Sequence, residues 1–170
     1  MDMIKDIYDT FDCYQTMIFV NKKADAEKMK TYLTEKGVKA QILISGMEQA
    51  ERDKIIDDFR LTNISTLIST NVLARGIDVP EVDLVINYDV PYINDFGYKL
   101  PDCANFLHRV GRTGRFGTDG VSLTLYTDEV YADLLDEIEK YYGIKIERVE
   151  ALEDLKLILD KMRNKDVDAE

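Results

Sequence analysis

The sequence predicts an α/β domain: a parallel β-sheet flanked by helices on both faces. Three observations lead there. Short apolar runs alternate with longer stretches whose apolar residues recur every three or four positions, the rhythm of strand–helix–strand units. The runs TLIS (66–69) and DLVINY (83–88) are apolar without strict alternation, as strands buried on both faces are. At 170 residues and 45% hydrophobic content, the chain is one domain in size, large enough to bury roughly 70% of the surface its unfolded form exposes.

The elements follow in order. MIFVN (17–21) is a strand ending in a polar residue, and in the stretch after it Ala26, Met29 and Leu33 repeat at helical spacing until Gly37 stops the helix. VKAQILI (38–44) is the next strand, and ERDKIIDDFR (51–60) the next helix, with Ile55, Ile56 and Phe59 inward. Strands at 66–69 and 83–88 come next, then a helix from about Asp102 to Val110 and a strand at GVSLTLY (120–126). Helices at roughly 128–142 and 151–163 close the domain, the last with an inner stripe of Leu152, Leu155, Leu159 and Met162. The segment from Tyr92 to Lys99, carrying Asn94, Asp95 and Gly97, reads as an exposed loop. Residues 1–163 form the domain and 164–170 a frayed tail.

Net charge is −11, from 33 acidic and 22 basic side chains, which weighs against a nucleic-acid partner. The distribution weighs the other way. Much of the acid lies after residue 127, on helices with solvated outer faces, whereas six of the eight arginines stand at 52, 60, 75, 109, 112 and 115. Cys13 and Cys103 lack metal-ligand spacing and only His108 accompanies them, so no zinc site is expected and an intracellular setting is. No run of eighteen apolar residues occurs, and the start, MDMIKDIYDTF, is not signal-like.

The stretch FLHRVGRTGRFG (106–117) gathers His108, Arg109, Arg112 and Arg115 among three glycines. Arg109 and Arg112, three apart, share a helix face, and Gly114 lets Arg115 leave at an angle, so two guanidinium groups converge on one phosphate. A surface salt-bridge cluster is the competing reading. Upstream, STNVLARGIDVPEVDLVINYDVP (69–91) places Thr70, Arg75, Gly76 and Asp78 at the carboxyl end of a strand, the edge where open α/β sheets bind ligands.

Together these segments resemble motifs V and VI of the second RecA-like domain of superfamily 2 helicases. His108 points to the DEAD-box RNA helicase form, because related DEAH and DNA-remodelling enzymes usually begin motif VI with Gln. MIFVN is similar to motif IV, and SGMEQAERDKIIDDFR (45–60) to the family's glycine turn and Gln-x-x-Arg element, here Gln49 and Arg52, with the Gly46 to Gln49 spacing one residue shorter than usual. The insertion between motifs V and VI and the stretch IERVEALEDLKLI are similar to the branch involved in messenger RNA export at nuclear pores. The chain contains no GxxxxGKT phosphate loop and no DEAD or SAT motif. In the family these lie on the N-terminal RecA-like domain, so the resemblance implies the second half of a two-domain enzyme, beginning inside the helix that leads into motif IV.

That resemblance implies roles residue by residue. Arg112 and Arg115 would be arginine fingers on the γ-phosphate, His108 would face the first domain, and Arg109 would brace motif VI. Gly76 and Asp78 would approach the ribose of ATP, whose magnesium the first domain holds; for Asp78 a turn-stabilising carboxylate is the alternative. RNA would be met through its backbone by Arg52, Thr70 and Asn71, with Asn21 and the Gly46 backbone beside them. Arg52 pairing with Glu48, and Thr70 capping a turn, are the alternatives. Expected partners are RNA, the N-terminal RecA-like domain and a regulatory protein; the domain alone is expected to be monomeric and inactive. A noncatalytic RNA- or protein-binding module is the other reading of the whole chain.

Overall fold

The computed structural model describes residues 2–10, 15–70, 81–114, 120–151 and 153–158. It divides into two compact units, Cys13–Gly143 and a second made of Met1–Asp12 with Ile144–Glu170. In the second unit α1 (Asp2–Thr10) and a helical stretch at 153–158 are described, and Ile4, Ile7 and Leu155 are buried. Leu155 belongs to the stripe expected of the last helix; Leu152, Leu159 and Met162, like Cys13 and the tail from 164, lie outside the described residues.

The first unit holds a five-stranded parallel sheet of order β2-β3-β1-β4-β7. Its elements in chain order are β1 (Thr16–Phe19), α2 (Lys23–Glu35), β2 (Ala40–Leu43), α3 (Gln49–Arg60), β3 (Thr66–Ser69), β4 (Leu84–Asn87), β5 (Tyr92–Asp95), β6 (Tyr98–Pro101), α4 (Cys103–Val110), β7 (Val121–Thr124) and α5 (Glu129–Tyr142). The fully buried strands β1, β3 and β4 sit at the centre, where both faces are covered and periodicity of two disappears. β1 lies between β3 and β4, with Thr16 opposite Thr66 on one side and Leu84 on the other.

Strand order decides which face each helix covers. From β1 to β2 the chain steps outward across β3, and from β2 to β3 it steps back, so right-handed crossovers place α2 and α3 on opposite faces. On one face Met17, Phe19, Leu43, Leu67 and Val85 pack with Ile55, Ile56 and Phe59 of α3. Ile18, Ile42, Ile68, Leu84 and Ile86 alternate to the other. α2 packs on β2 and β3 through buried Ala26, Met29 and Leu33. Each of the larger apolar side chains contributes about 1.5–3 kcal/mol on burial.

Local chemistry marks the helix ends. Asp102 caps α4 by accepting from the Asn105 amide at 3.1 Å, Asp128 caps α5 through the Tyr131 amide at 3.2 Å, and Gly143 closes α5 at φ 64°.

The stretch from Tyr92 to Lys99 corrects the sequence reading. It is part of an antiparallel hairpin, β5 paired with β6, with Ile93 opposite Leu100 and Asp95 opposite Tyr98. Phe96 and Gly97 form the turn, both at positive φ (44° and 89°), and Phe96 is 98% exposed. The hairpin is fastened to α5 by Lys99, whose Nζ donates to Tyr131 Oη at 2.9 Å and lies over the Tyr92 and Tyr131 rings. No helix among the described residues is long and apolar enough to cross a membrane.

Candidate functional site

The five strands of this sheet are parallel, so their carboxyl ends share one edge, where Asn21, Gly46, Thr70 and Asp89 gather. The turn after α4 instead pairs with Val82 and lies against Gly120, ahead of β4 and β7, at the amino end of those strands. Asn21 follows β1, Ser45 and Gly46 follow β2, Thr70 follows β3, and Asp89 follows β4. α4 carries His108 and Arg109 in its last turn, and Arg112 comes just after its end.

Arg109 is turned inward and is 2% exposed. Its Nη1 donates to the Asp89 carbonyl and its Nη2 to Asn21 Oδ1, each at 2.9 Å, while the guanidinium lies 5.4 Å from the centre of the Phe19 ring. Burial lowers its pKa to about 10, against the opposing pull of Asp89 and Asp102, so it stays charged at neutral pH. Asn21 completes the cluster: its amide Nδ2 donates to the Val90 carbonyl and its backbone N–H to Asp89 Oδ2, both at 2.9 Å.

The turn after α4 is anchored at several points. The Arg112 N–H donates to the Arg109 carbonyl at 3.2 Å, and the Arg112 carbonyl accepts from the Val82 N–H at 2.9 Å. Thr113 Oγ1 donates to the Val82 carbonyl at 3.1 Å, and Val82 and Thr113 form a parallel bridge. Gly114 takes φ 100°, a conformation glycine adopts without strain. Gly120 closes the turn from behind, where a Cβ would overlap Thr113 Oγ1 and the Gly114 nitrogen. Arg112 is half-buried and, among the described residues, makes no ion pair. His108 is exposed beside it in the chain.

Arg52 stands in the first turn of α3, half-buried, with its Nε enclosed and lacking a hydrogen-bond partner among the described residues. Its link to Glu48 is the helical one from its N–H to the Glu48 carbonyl at 3.1 Å; no ion pair joins them. Thr70 is 8% exposed, and its carbonyl accepts from Ser69 Oγ at 2.8 Å. Gly46 is exposed at φ 90°, with Lys23 above it donating to the Ser45 carbonyl at 2.7 Å. Asn71, Arg75, Gly76, Asp78 and Arg115 lie outside the described residues.

Sequence reasoning missed Asp89 and Lys23. Each stands a few residues past a strand's carboxyl end, which is the one signal that marks them. Among the described residues no group of three His, Cys, Asp or Glu side chains is placed to hold a metal ion.

A parallel sheet of this order, with polar residues gathered at its carboxyl edge and an anchored arginine turn after α4, defines a RecA-like domain of the helicase type. Residues 1–117 match the helicase conserved C-terminal domain. The ATP-dependent RNA helicase DBP5 of Debaryomyces hansenii is 42% identical over 150 residues, which cover 87% of this chain and 30% of that protein. The ATP-dependent RNA helicase eIF4A of Eremothecium gossypii is 39% identical over 150 residues, covering 88% of this chain and 35% of that one. In structure, the C-terminal domain of the DEAD-box protein Dbp5 aligns with TM-score 0.84 and 37% identity, over 94% of this chain and 89% of its own. Saccharomyces cerevisiae Dbp5 bound to RNA and ADP BeF3 aligns with TM-score 0.82 at 37% identity, over 95% and 41%. The chain belongs to the helicase conserved C-terminal domain family, as a RecA-like domain of the DEAD-box RNA helicase type. It spans about a third of the length of the curated relatives it matches.

Proposed function

We propose that this chain works as the C-terminal half of an ATP-dependent DEAD-box RNA helicase, supplying arginine fingers for ATP hydrolysis and one side of an RNA-backbone groove. The observation that carries the reading is Arg112. It is a half-buried arginine without a carboxylate partner among the described residues, on a turn pinned by Val82, Thr113 and Gly120 just ahead of β4 and β7. An unneutralised guanidinium on a rigid support fits a triphosphate, whose oxygens accept its fork of donors.

ATP with magnesium supplies the γ-phosphoryl group and its metal, held mainly by the N-terminal RecA-like domain. Arg112 and Arg115 supply positive charge where charge spreads in the transition state, with no reorganisation required of the anchored turn. His108, exposed on α4, faces the partner domain; Gly76 and Asp78 serve the ribose. Arg52, Thr70, Asn71 and the Gly46 backbone take RNA phosphates and 2′-hydroxyls without reading bases.

Relatives suggest the wider role. A Saccharomyces cerevisiae Dbp5 variant bound to Gle1 and IP6 aligns with this chain at TM-score 0.85 and 37% identity, over 95% of this chain and 41% of its own. We infer RNA, the N-terminal domain and a regulatory protein as partners, and a role in RNA remodelling of the messenger RNA export kind, in nucleus and cytoplasm and at nuclear pores. The complete two-domain protein tests this: RNA-stimulated ATPase should fall by about 10²-fold or more in Arg112→Lys or Arg115→Lys, with nucleotide affinity little changed. Near-normal turnover in both variants would reduce these arginines to structural charges and favour a noncatalytic binding module.

A further inference from the structure

We infer that Asn21 is a positioning residue for ATP hydrolysis, acting through Arg109 on the turn that carries Arg112. The inference rests on the finger reading of Arg112 given above.

The geometry starts from the amide itself. A primary amide has an oxygen with two acceptor lone pairs and an NH2 with two N–H donors. At Asn21 one of each is used inward, a lone pair by Arg109 Nη2 and an N–H by the Val90 carbonyl, each at 2.9 Å. The backbone N–H is committed as well, to Asp89 Oδ2 at 2.9 Å. One N–H of the amide and one lone pair of its oxygen are left over, so these bonds fix the direction of the Asn21 amide against the ends of β1 and β4.

What Asn21 holds leads to the fingers. Arg109 is anchored by its side chain to the ends of β1 and β4, through Asn21 Oδ1 and the Asp89 carbonyl. Its own carbonyl receives the Arg112 N–H, and the Arg112 carbonyl receives the Val82 N–H. Asn21 thus stands at one end of a short chain of hydrogen bonds whose other end is the backbone of Arg112. Removing its amide takes one bond from a buried guanidinium and one from the Val90 carbonyl, so the last turn of α4 relaxes toward water. A shift of about 1 Å in a charge that must meet the transition state costs up to about 10²-fold in rate.

The test uses the two-domain protein with Asn21→Ala, Asn21→Asp and Arg112→Lys in parallel, reading RNA-stimulated ATPase and the affinity for a single-stranded RNA of mixed sequence. Asn21→Ala is expected to lower kcat about tenfold or more, with RNA affinity and the KM for ATP within about twofold. Asn21→Asp, whose carboxylate still accepts from Arg109, is expected to recover most of the turnover. Should the alanine variant fail to fold in a thermal melt, Asn21→Ser is read in its place. Weakened RNA binding with unchanged kcat at saturating RNA would make Asn21 an RNA contact and overturn the inference, as would unchanged turnover in Asn21→Ala. An aspartate variant as slow as alanine would overturn the route through Arg109. If Arg112→Lys leaves turnover intact, the finger reading fails and this inference with it; if only Arg112→Lys slows turnover, the inference alone fails.

Discussion

Gly120→Ala should destabilise this chain more than any ordinary glycine-to-alanine change. The added Cβ would lie 2.7 Å from the Thr113 carbonyl carbon and closer still to Thr113 Oγ1 and the Gly114 nitrogen. Two of these are backbone atoms, so no rotamer change relieves the clash. Either β7 moves away from the turn or the turn moves away from β4. The second route breaks the Thr113 hydroxyl bond to Val82 and the Val82 N–H bond to Arg112. Overpacking typically costs 1–3 kcal/mol, and the broken hydrogen bonds add to it, giving a total of about 3 kcal/mol. For a chain of this size that lowers Tm by roughly 6–12 °C. The assay is urea unfolding at equilibrium, where the midpoint should fall with an unchanged slope. Gly37→Ala is the control, because Gly37 has φ 82° and nothing within 4 Å of its Cβ position; it should cost about 1–2 kcal/mol from backbone strain alone. If Gly120→Ala proves no worse than Gly37→Ala, the turn is not packed as described and its role in holding Arg112 falls with it.

Arg52→Ala should weaken binding of the two-domain protein to unrelated single-stranded RNAs about equally, and lower the salt slope by about 0.7, the share of a single phosphate; weakening confined to one sequence would show base readout and refute the assignment. Lys99→Met removes the hydrogen bond to Tyr131 and the cation between two rings. It should cost about 1 kcal/mol. Amide exchange in residues 93–100 should quicken well before global unfolding does, and unchanged protection there would show that the hairpin is held by other groups.

Much of the architecture was legible in the chain itself because local chemistry dictates it. TLIS at 66–69 is a strand with the bounds read from its apolar run, since a strand covered on both faces has no alternative use for those residues. Asp102, Asp128 and Gly143 mark helix ends by chemistry that acts within four residues. The arginine cluster led, through its spacing, to the expectation of a polyanion site, and Gly114 has the positive φ that the predicted sharp exit requires. The hairpin at 92–101 was not legible, because its outer face meets solvent and so imposes no apolar pattern, and Phe96 at positive φ occupies a place where Asn or Gly is the usual signal. Nor does any local pattern show that Asn21, Asp89 and Arg109 meet. They come together only because the order β3-β1-β4 sets the ends of β1 and β4 side by side and a right-handed crossover lays α4 over them. Sequence determined which residues are candidates for a phosphate; tertiary structure decided that Arg109 among them faces inward, because a side chain's direction at a sheet edge depends on neighbours 20 to 88 positions away.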